Sequence, residues 1–323
     1  MNQSIFGRAA VALFFILGLI SASMAEPGFP TRPLKVIVST QAGTGSDSAV
    51  RFFCGQLAIV LAQPCNVENR PGNLSLIGVA VAKAAPADGY TMLLGSNSPM
   101  AVNPAMLKVM PYDPVEDFKP IYGLTLHTNV LVVPANSTVR TVADLISVAK
   151  QNPNKLNAGI YASLYQLATG WLSVAGSIKV VNVPYKGLPQ LTVDLMSGQI
   201  DFAFVDLAGI APLLHAGKLR AIAVLGDRPH TDFPNVPPLK NTLPEMVNYS
   251  WTALYIRSEV PADVTARLAE AMAKIITTDA AKDFAKKMNL ELLPLGPAAM
   301  RTFQIAEIER FKRIGAMANI QKE

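Results

Sequence analysis

The sequence has little of what reactive chemistry draws on. It holds 2 cysteines, 3 histidines and 2 tryptophans in 323 residues, and only 16% of the residues are charged. Cys54 and Cys65 stand eleven positions apart with no CxxC pair and no Cys/His cluster, so the usual zinc spacings are absent. No G-x-S-x-G elbow occurs, because Gly43-Thr-Gly-Ser-Asp47 has aspartate where the last glycine belongs. The same stretch lacks the Gly-Lys-Ser/Thr ending of a phosphate-binding loop. His127, His215 and His230 leave little for a general base. No enzyme activity, cofactor or metal site is expected. No run of five or more Lys/Arg exists, so nucleic-acid binding has no footprint.

What is present begins with an apolar stretch. Met1–Arg8 carries one positive charge, Ala9–Ile20 is apolar over 12 residues, and Ser23-Met24-Ala25 puts small residues at the −3 and −1 positions. This is the three-part layout of a secretory signal peptide over residues 1–25, and the run is short of the roughly 20 residues of a membrane span. A mature chain starting near Glu26 has 27 Lys+Arg against 23 acids, a net charge of +4. That mild, dispersed excess suits an anionic ligand. In an oxidising compartment Cys54 and Cys65 have two readings, a disulfide or two buried thiols, and the required geometry is not in the sequence.

Half of the residues are hydrophobic, enough for two cores at this length. Short β-branched runs alternate with helical spacing. Strands are expected at Leu34–Ser39, Asn66–Glu68 and Thr91–Gly95, with helices at Ser48–Ala62 and Ile77–Ala84. A second α/β unit starts at Val130–Val133. Its helices are expected at Val139–Gln151 with Thr141 as N-cap, Gln166–Ala175, Leu191–Ser197 and Ile210–Ala216. Its strands are expected at Leu156–Ile160, Val180–Val183, Phe202–Val205 and Ala221–Val224. A proline-rich connection, Asp227–Asn248, leads to a late strand, Ala253–Ile256, and three amphipathic helices. Leu131–Ser137 and Leu254–Pro261 are similar strand-then-helix segments, one in each half. Side by side they would cross between two lobes, although such units also resemble one another by chance.

Several short segments, in this order and spacing, carry a resemblance. They are Glu68-Asn-Arg-Pro-Gly72, Asp88-Gly-Tyr-Thr91, Pro111-Tyr-Asp-Pro-Val-Glu-Asp-Phe118, Val183-Pro-Tyr-Lys-Gly187, Ser197-Gly-Gln-Ile-Asp201, Ala216-Gly-Lys-Leu-Arg-Ala-Ile-Ala-Val224 and Pro234-Asn-Val-Pro237. Through them the chain resembles the substrate-binding proteins of tripartite tricarboxylate transporters, the periplasmic Bug family. The resemblance implies an α/β, two-lobed type II periplasmic-binding-protein fold, a Venus flytrap with two crossing strands. Lobe 1 is expected over 26–126 plus 252–323, and lobe 2 over 127–251. The resemblance also implies a small carboxylate ligand, delivery to membrane permease subunits, a periplasmic location and a monomer.

In open α/β sheets ligands sit beyond the carboxyl ends of the strands. The loop after the first strand is therefore the first candidate. Gly43 and Gly45 allow close backbone approach, Thr44 and Ser46 offer hydroxyls, and Asp47 caps the helix or orients the loop. An ordinary helix-capping turn would read the same way. The family loop usually reads Ala-Pro-Gly-Gly-Ser-Thr-Asp, so Gly43 and Asp47 match while Thr44 replaces the second glycine. In lobe 2 the stretch Ala158–Gln166 is shorter and more aromatic than the family pattern. Ala162, Ser163 and Leu164 are expected to offer backbone amides, and Tyr161, Leu164 and Tyr165 to pack on an aromatic or apolar acid or else to fill the lobe. Ser96 with Asn97 and Ser98 is expected on the lobe 1 wall, Tyr185 beside a solvated Lys186, and Asp206 either as an acceptor in the cleft or as a helix N-cap. The same clamshell would also serve a membrane sensor kinase, and the sequence does not separate the two roles.

Overall fold

The computed structural model describes residues 28–318 and Lys322. The expected signal peptide, residues 1–25, lies outside the described residues. From Arg32 onward the chain forms one compact unit.

The first α/β stretch contains β1 (Leu34–Val38), α1 (Gly45–Leu61), β2 (Cys65–Asn69), α2 (Leu76–Ala84) and β3 (Thr91–Ser96). The strands pair parallel in the order β2-β1-β3. β1 is buried at every position but Lys35, as a parallel strand covered on both faces must be. In α1 the buried Val50, Phe53, Cys54, Leu57 and Leu61 recur every three or four residues and form one face. Cys54 on that face is disulfide-bonded to Cys65 at the start of β2, with Cα atoms 5.3 Å apart. The bridge resolves the alternative left by the sequence. Closing a loop this short adds roughly 3 kcal/mol at most in the chain-entropy account.

A π-helical turn (Ser98–Val102) runs into α3 (Asn103–Met106), and then β4 (Phe118–Pro134) begins. The strand expected over Val130–Val133 is the last part of this 17-residue strand. Pro120 and Gly123 obscure its first part, since both residues ordinarily interrupt strands. The structure absorbs them in two register shifts, at Pro120/Tyr122 and at Gly123/Thr125.

The second stretch contains α4 (Val142–Gln151), β5 (Asn157–Ile160), α5 (Ser163–Ala175), β6 (Val181–Pro184), α6 (Leu188–Ser197), β7 (Phe202–Asp206), α7 (Leu207–His215) and β8 (Leu219–Val224). Thr141 caps α4 in a reciprocal box with Asp144. β6, β5 and β7 are parallel neighbours, and the second half of β4 runs antiparallel between β7 and β8. α5 starts at Ser163 rather than Gln166, because apolar and aromatic residues of the preceding stretch join its buried face.

The chain then returns. β9 (Tyr249–Arg257) lies antiparallel between β3 and the first half of β4, and is followed by α8 (Ala262–Ile276), α9 (Asp279–Lys287), β10 (Glu291–Leu292) and α10 (Pro297–Met317). α8 buries Leu268, Ala271, Met272, Ile275 and Ile276, a single stripe. α10 is fixed near the start of β4 by the buried Gln304, whose Nε2 donates to the Met100 and Pro114 carbonyls at 3.2 and 3.0 Å. β4 thus belongs to both sheets, and β9 runs beside it in the first. Among the described residues no helix is long and apolar enough to cross a membrane.

Candidate ligand-binding cleft

The two sheets point the carboxyl ends of their parallel strands at one cleft. β1, β2 and β3 end at Ser39–Gln41, Gly72–Ser75 and Ser96–Ser98, while β5, β6 and β7 end at Ile160–Ala162, Pro184–Gly187 and Asp206. This is where open α/β sheets place ligands, since strand ends leave backbone groups and helix N-termini unpaired. The outer cleft has a volume of about 480 Å³ and is lined by Ser39, Thr40, Gln41, Thr44, Asn73, Leu74, Ser75, Tyr161, Gln166, Tyr185 and Lys186, among others. Behind it lies an inner chamber of about 40 Å³, lined by Thr40, Thr44, Ser46, Ser75, Ser96, Tyr161, Ala162, Leu164, Tyr165, Asp206 and His127 among others. Thr40, Thr44, Ser75 and Tyr161 line both, so the two spaces adjoin. A larger cavity of about 890 Å³ lies on the far side of His127, where Arg228, Lys286 and Lys287 mix with Asp232, Asp283 and Glu291. Among the described residues no parallel strand ends there.

The loop after β1 is built from within. Thr44 is the N-cap of α1, and its Oγ1 accepts from the Asp47 amide at 3.1 Å. Asp47 is buried, accepts from the Gly43 amide, Arg51 and Asn69, and lines neither space. Its role is to hold the loop. Burial pushes its carboxyl up, but the hydrogen bonds from Arg51, Asn69 and Gly43 outweigh burial and hold it below the ordinary carboxylate range. Gly43 needs its glycine, with φ at 91°. Gly45 needs its glycine for another reason: a Cβ there would collide with Asp206 Oδ2. The Gly45 amide, an N-terminal donor of α1, is taken by that same oxygen at 3.0 Å. Asp206 occupies the N-cap position of α7 yet makes no capping bond with its side chain, which reaches across the cleft instead.

The floor of the inner chamber is polar and buried. Thr252 Oγ1 bonds Thr125 Oγ1 at 2.7 Å, Thr125 Oγ1 bonds His127 Nε2 at 2.6 Å, and His127 Nδ1 stands 3.5 Å from Asp206 Oδ1. His127 is 1% exposed and Asp206 5% exposed, and neither Nδ1 nor Oδ1 has a hydrogen-bond partner. Thr40 Oγ1 is a third buried polar atom without one. No Lys or Arg lines the inner chamber among the described residues, and Lys186 is the one cation on the outer cleft.

On the opposite wall Tyr161 and Tyr165 hold their ring centroids 4.7 Å apart. Burial, then Tyr165 and Asp206 close by, push the Tyr161 phenol well above its ordinary value, so it remains a neutral group. Ala162, Leu164 and Tyr165 line the inner chamber, but Ser163 does not. Its Oγ donates to Asn103 Oδ1 at 2.6 Å in a buried bond between the two halves, and the Leu164 amide donates to Ser98 Oγ at 3.2 Å beside it. Ser96 lines the inner chamber and Tyr185 the outer cleft, where its hydroxyl donates to Asp194.

Of the residues expected from sequence, Thr44, Ser46, Ser96, Ala162, Leu164, Tyr165, Tyr185 and Asp206 line the cleft, whereas Gly43, Gly45, Asp47 and Ser163 lie outside both spaces. Sequence reasoning missed Thr40, His127 and the turn Asn73–Ser75. That turn has three successive residues at positive φ, 46°, 50° and 75°, just before α2. Such strain in non-glycine residues gathers at functional sites. Its signal was available, since the preceding Glu68–Gly72 segment ends a parallel strand.

The fold and cleft define a solute-binding receptor. The chain belongs to the family described as Tripartite tricarboxylate transporter family receptor, whose sequence model matches residues 50–320. The protein BugT of Bordetella pertussis is 30% identical over 257 residues, 76% of this chain and 77% of that one. An R. palustris protein solved with adipate is 28% identical and superposes with a TM-score of 0.87, covering 91% of this chain and 100% of its own. The periplasmic binding protein BugD, 20% identical, shares the fold with a TM-score of 0.86, covering 91% of this chain and 100% of its own. The two-lobed periplasmic-binding-protein fold expected from the sequence is the fold of these proteins. The family is one of solute-binding receptors, not of enzymes.

Two outcomes follow from this geometry. The Asp47 carboxyl is depressed in the folded state, so the stability it contributes is present above its unfolded value of about 3.9 and is lost as pH falls through the lower folded value. Urea unfolding from pH 7 to pH 2 should show Asp47→Asn less stable than wild type at pH 7, with the gap closing at the acid end. Ser163→Ala leaves the buried Asn103 Oδ1 without its donor and should cost about 1–3 kcal/mol in the same measurement.

Proposed function

We propose that this receptor captures a small carboxylic acid in its cleft and delivers it to the membrane subunits of a tripartite tricarboxylate transporter. The observation that carries the reading is the convergence of six parallel-strand ends on a space lined by hydroxyls and helix starts, with almost no cation. A small anion is held there by hydrogen bonds and helix dipoles rather than by a lysine or arginine clamp. The R. palustris relative solved with adipate supports the same ligand class.

We place the carboxylate in the outer cleft, near Thr40, Thr44 and Ser75 at the start of α2, with Lys186 at the rim. The inner end of α1 is already served by Asp206 through the Gly45 amide. Tyr161, Leu164 and Tyr165 form the wall for the body of the acid, and their apolar, aromatic character favours an apolar or aromatic acid over a citrate-like one. We assign the lobes to 26–126 plus 252–323 and to 127–251, with closure about the crossing strands, and the protein to the periplasm as a monomer.

A thermal-shift series with benzoate, 4-hydroxybenzoate, hexanoate, adipate and citrate tests this reading. An acid at a hundredfold excess over its dissociation constant adds about 2.7 kcal/mol to the native state, a shift of several degrees. The expected result is a shift with acids of apolar body and none with citrate. A shift with citrate alone contradicts the assignment of the wall, and no shift with any acid contradicts the ligand class.

A further inference from the structure

The inner chamber holds a set of groups that the carboxylate does not explain. Asp206 Oδ1 and His127 Nδ1 face one another at 3.5 Å, too far for a good hydrogen bond, and both are buried without a partner. Buried polar atoms in native proteins are nearly always paired, and an unpaired pair aimed into one cavity marks the place of a missing group. The fixed bonds around them set what that group must be. Asp206 Oδ2 accepts from the Gly45 amide, which fixes the carboxylate, and Oδ1 has only acceptor capacity left. His127 Nε2 is engaged by Thr125 Oγ1, so only Nδ1 faces the chamber. A group seated between them has to donate a hydrogen bond to Asp206. A second carboxylate would bring like charge against Asp206 in a space that no Lys or Arg lines among the described residues.

Resting on the carboxylate reading above, we propose that Asp206 makes the inner chamber a donor-reading subsite, so that the preferred ligand is a carboxylic acid carrying an O–H or N–H group at its far end. The acid end lies in the outer cleft and the donor enters the inner chamber, where it bridges Asp206 Oδ1 and His127 Nδ1. A hydroxyl meets both atoms, because it donates once and accepts twice. An amine meets Asp206 equally and needs His127 Nδ1 as acceptor. The chamber volume of about 40 Å³ suits the tip of such a ligand, since one water needs roughly 10–15 Å³ by the same measure. Asp206 is then the residue that sets specificity between hydroxy or amino acids and diacids of equal length.

Calorimetric titration of the whole protein with matched acids tests the proposal. The aliphatic set is hexanoate, 6-hydroxyhexanoate, 6-aminohexanoate and adipate, and the aromatic set is benzoate, 4-hydroxybenzoate and terephthalate. In the wild type the donor-bearing acid of at least one set should bind about tenfold or more tighter than both the plain acid and the diacid of that set. The hydroxy and amino arms of the aliphatic set show which donor is read. In Asp206→Asn the diacid should gain about tenfold, because the variant amide can donate to it, and the advantage of the donor-bearing acid over it should vanish. Equal affinities within each set, the result if the chamber merely holds water, overturn the proposal, as does a diacid binding tightest to the wild type. If Asp206→Asn fails to fold, as seen by circular dichroism, the wild-type series decides alone. Failure of all seven acids to bind the wild type overturns the carboxylate reading itself, whereas binding without the donor preference overturns only the role of Asp206.

Discussion

One strand, β4, is shared by the two sheets. Over its first half β4 is hydrogen-bonded to β9 and β10, and over its second half to β7 and β8. Every other element is placed relative to it. Because β4 cannot bend freely while paired on both sides, the carboxyl ends of the two parallel groups are held facing each other. The cleft follows from that constraint. The polar chain Thr252–Thr125–His127 lies on these same strands, so the floor of the cleft is also part of the connection between the sheets. Hinge motions of two-lobed proteins act through such connecting strands.

The anion site proposed here has no Lys or Arg among the described residues of its inner lining. The lining is hydroxyl, amide and aromatic, with Lys186 at the exposed rim. A neutral donor to a carboxylate contributes about 1.5–3 kcal/mol, so affinity in such a lining is built from several bonds rather than from one ion pair. The carboxylate of Asp206 takes one of the α1 amides for the protein itself. It links the two halves across the cleft, and it leaves the inner chamber with an acceptor rather than a donor.

The alternation of strand and helix was legible in the sequence because β-branched runs and helical spacing are local signals. Thr141 before Val142-Ala-Asp144 was legible for the same reason, and the capping box formed. The first half of β4 was not, because Pro120 and Gly123 read as breakers until the bulges that accommodate them are seen. The site was legible where it depends on strand ends, as at Thr44, Ser96 and Asp206. It was illegible where it depends on what reaches across. Nothing near Ser163 in sequence shows that Asn103 will claim its hydroxyl, and nothing near Gly45 shows that its amide will meet Asp206. Nothing local in the sequence marks His127 as a site residue, and only the pairing of β4 with β9 reveals that it stands on the chamber floor. Contacts between residues sixty or more positions apart are set by topology, which a single sequence does not display.

The central claim is that the ligand lies between the two sheets, at the strand ends. A crystal structure of the protein with the acid that raises its melting temperature most tests that claim directly. The account predicts the acid between Thr40, Ser75 and Tyr161, with its carboxylate toward the start of α2. The same acid seated beside Arg228, Lys286 and Lys287 in the cavity behind His127, with the cleft empty, would contradict it.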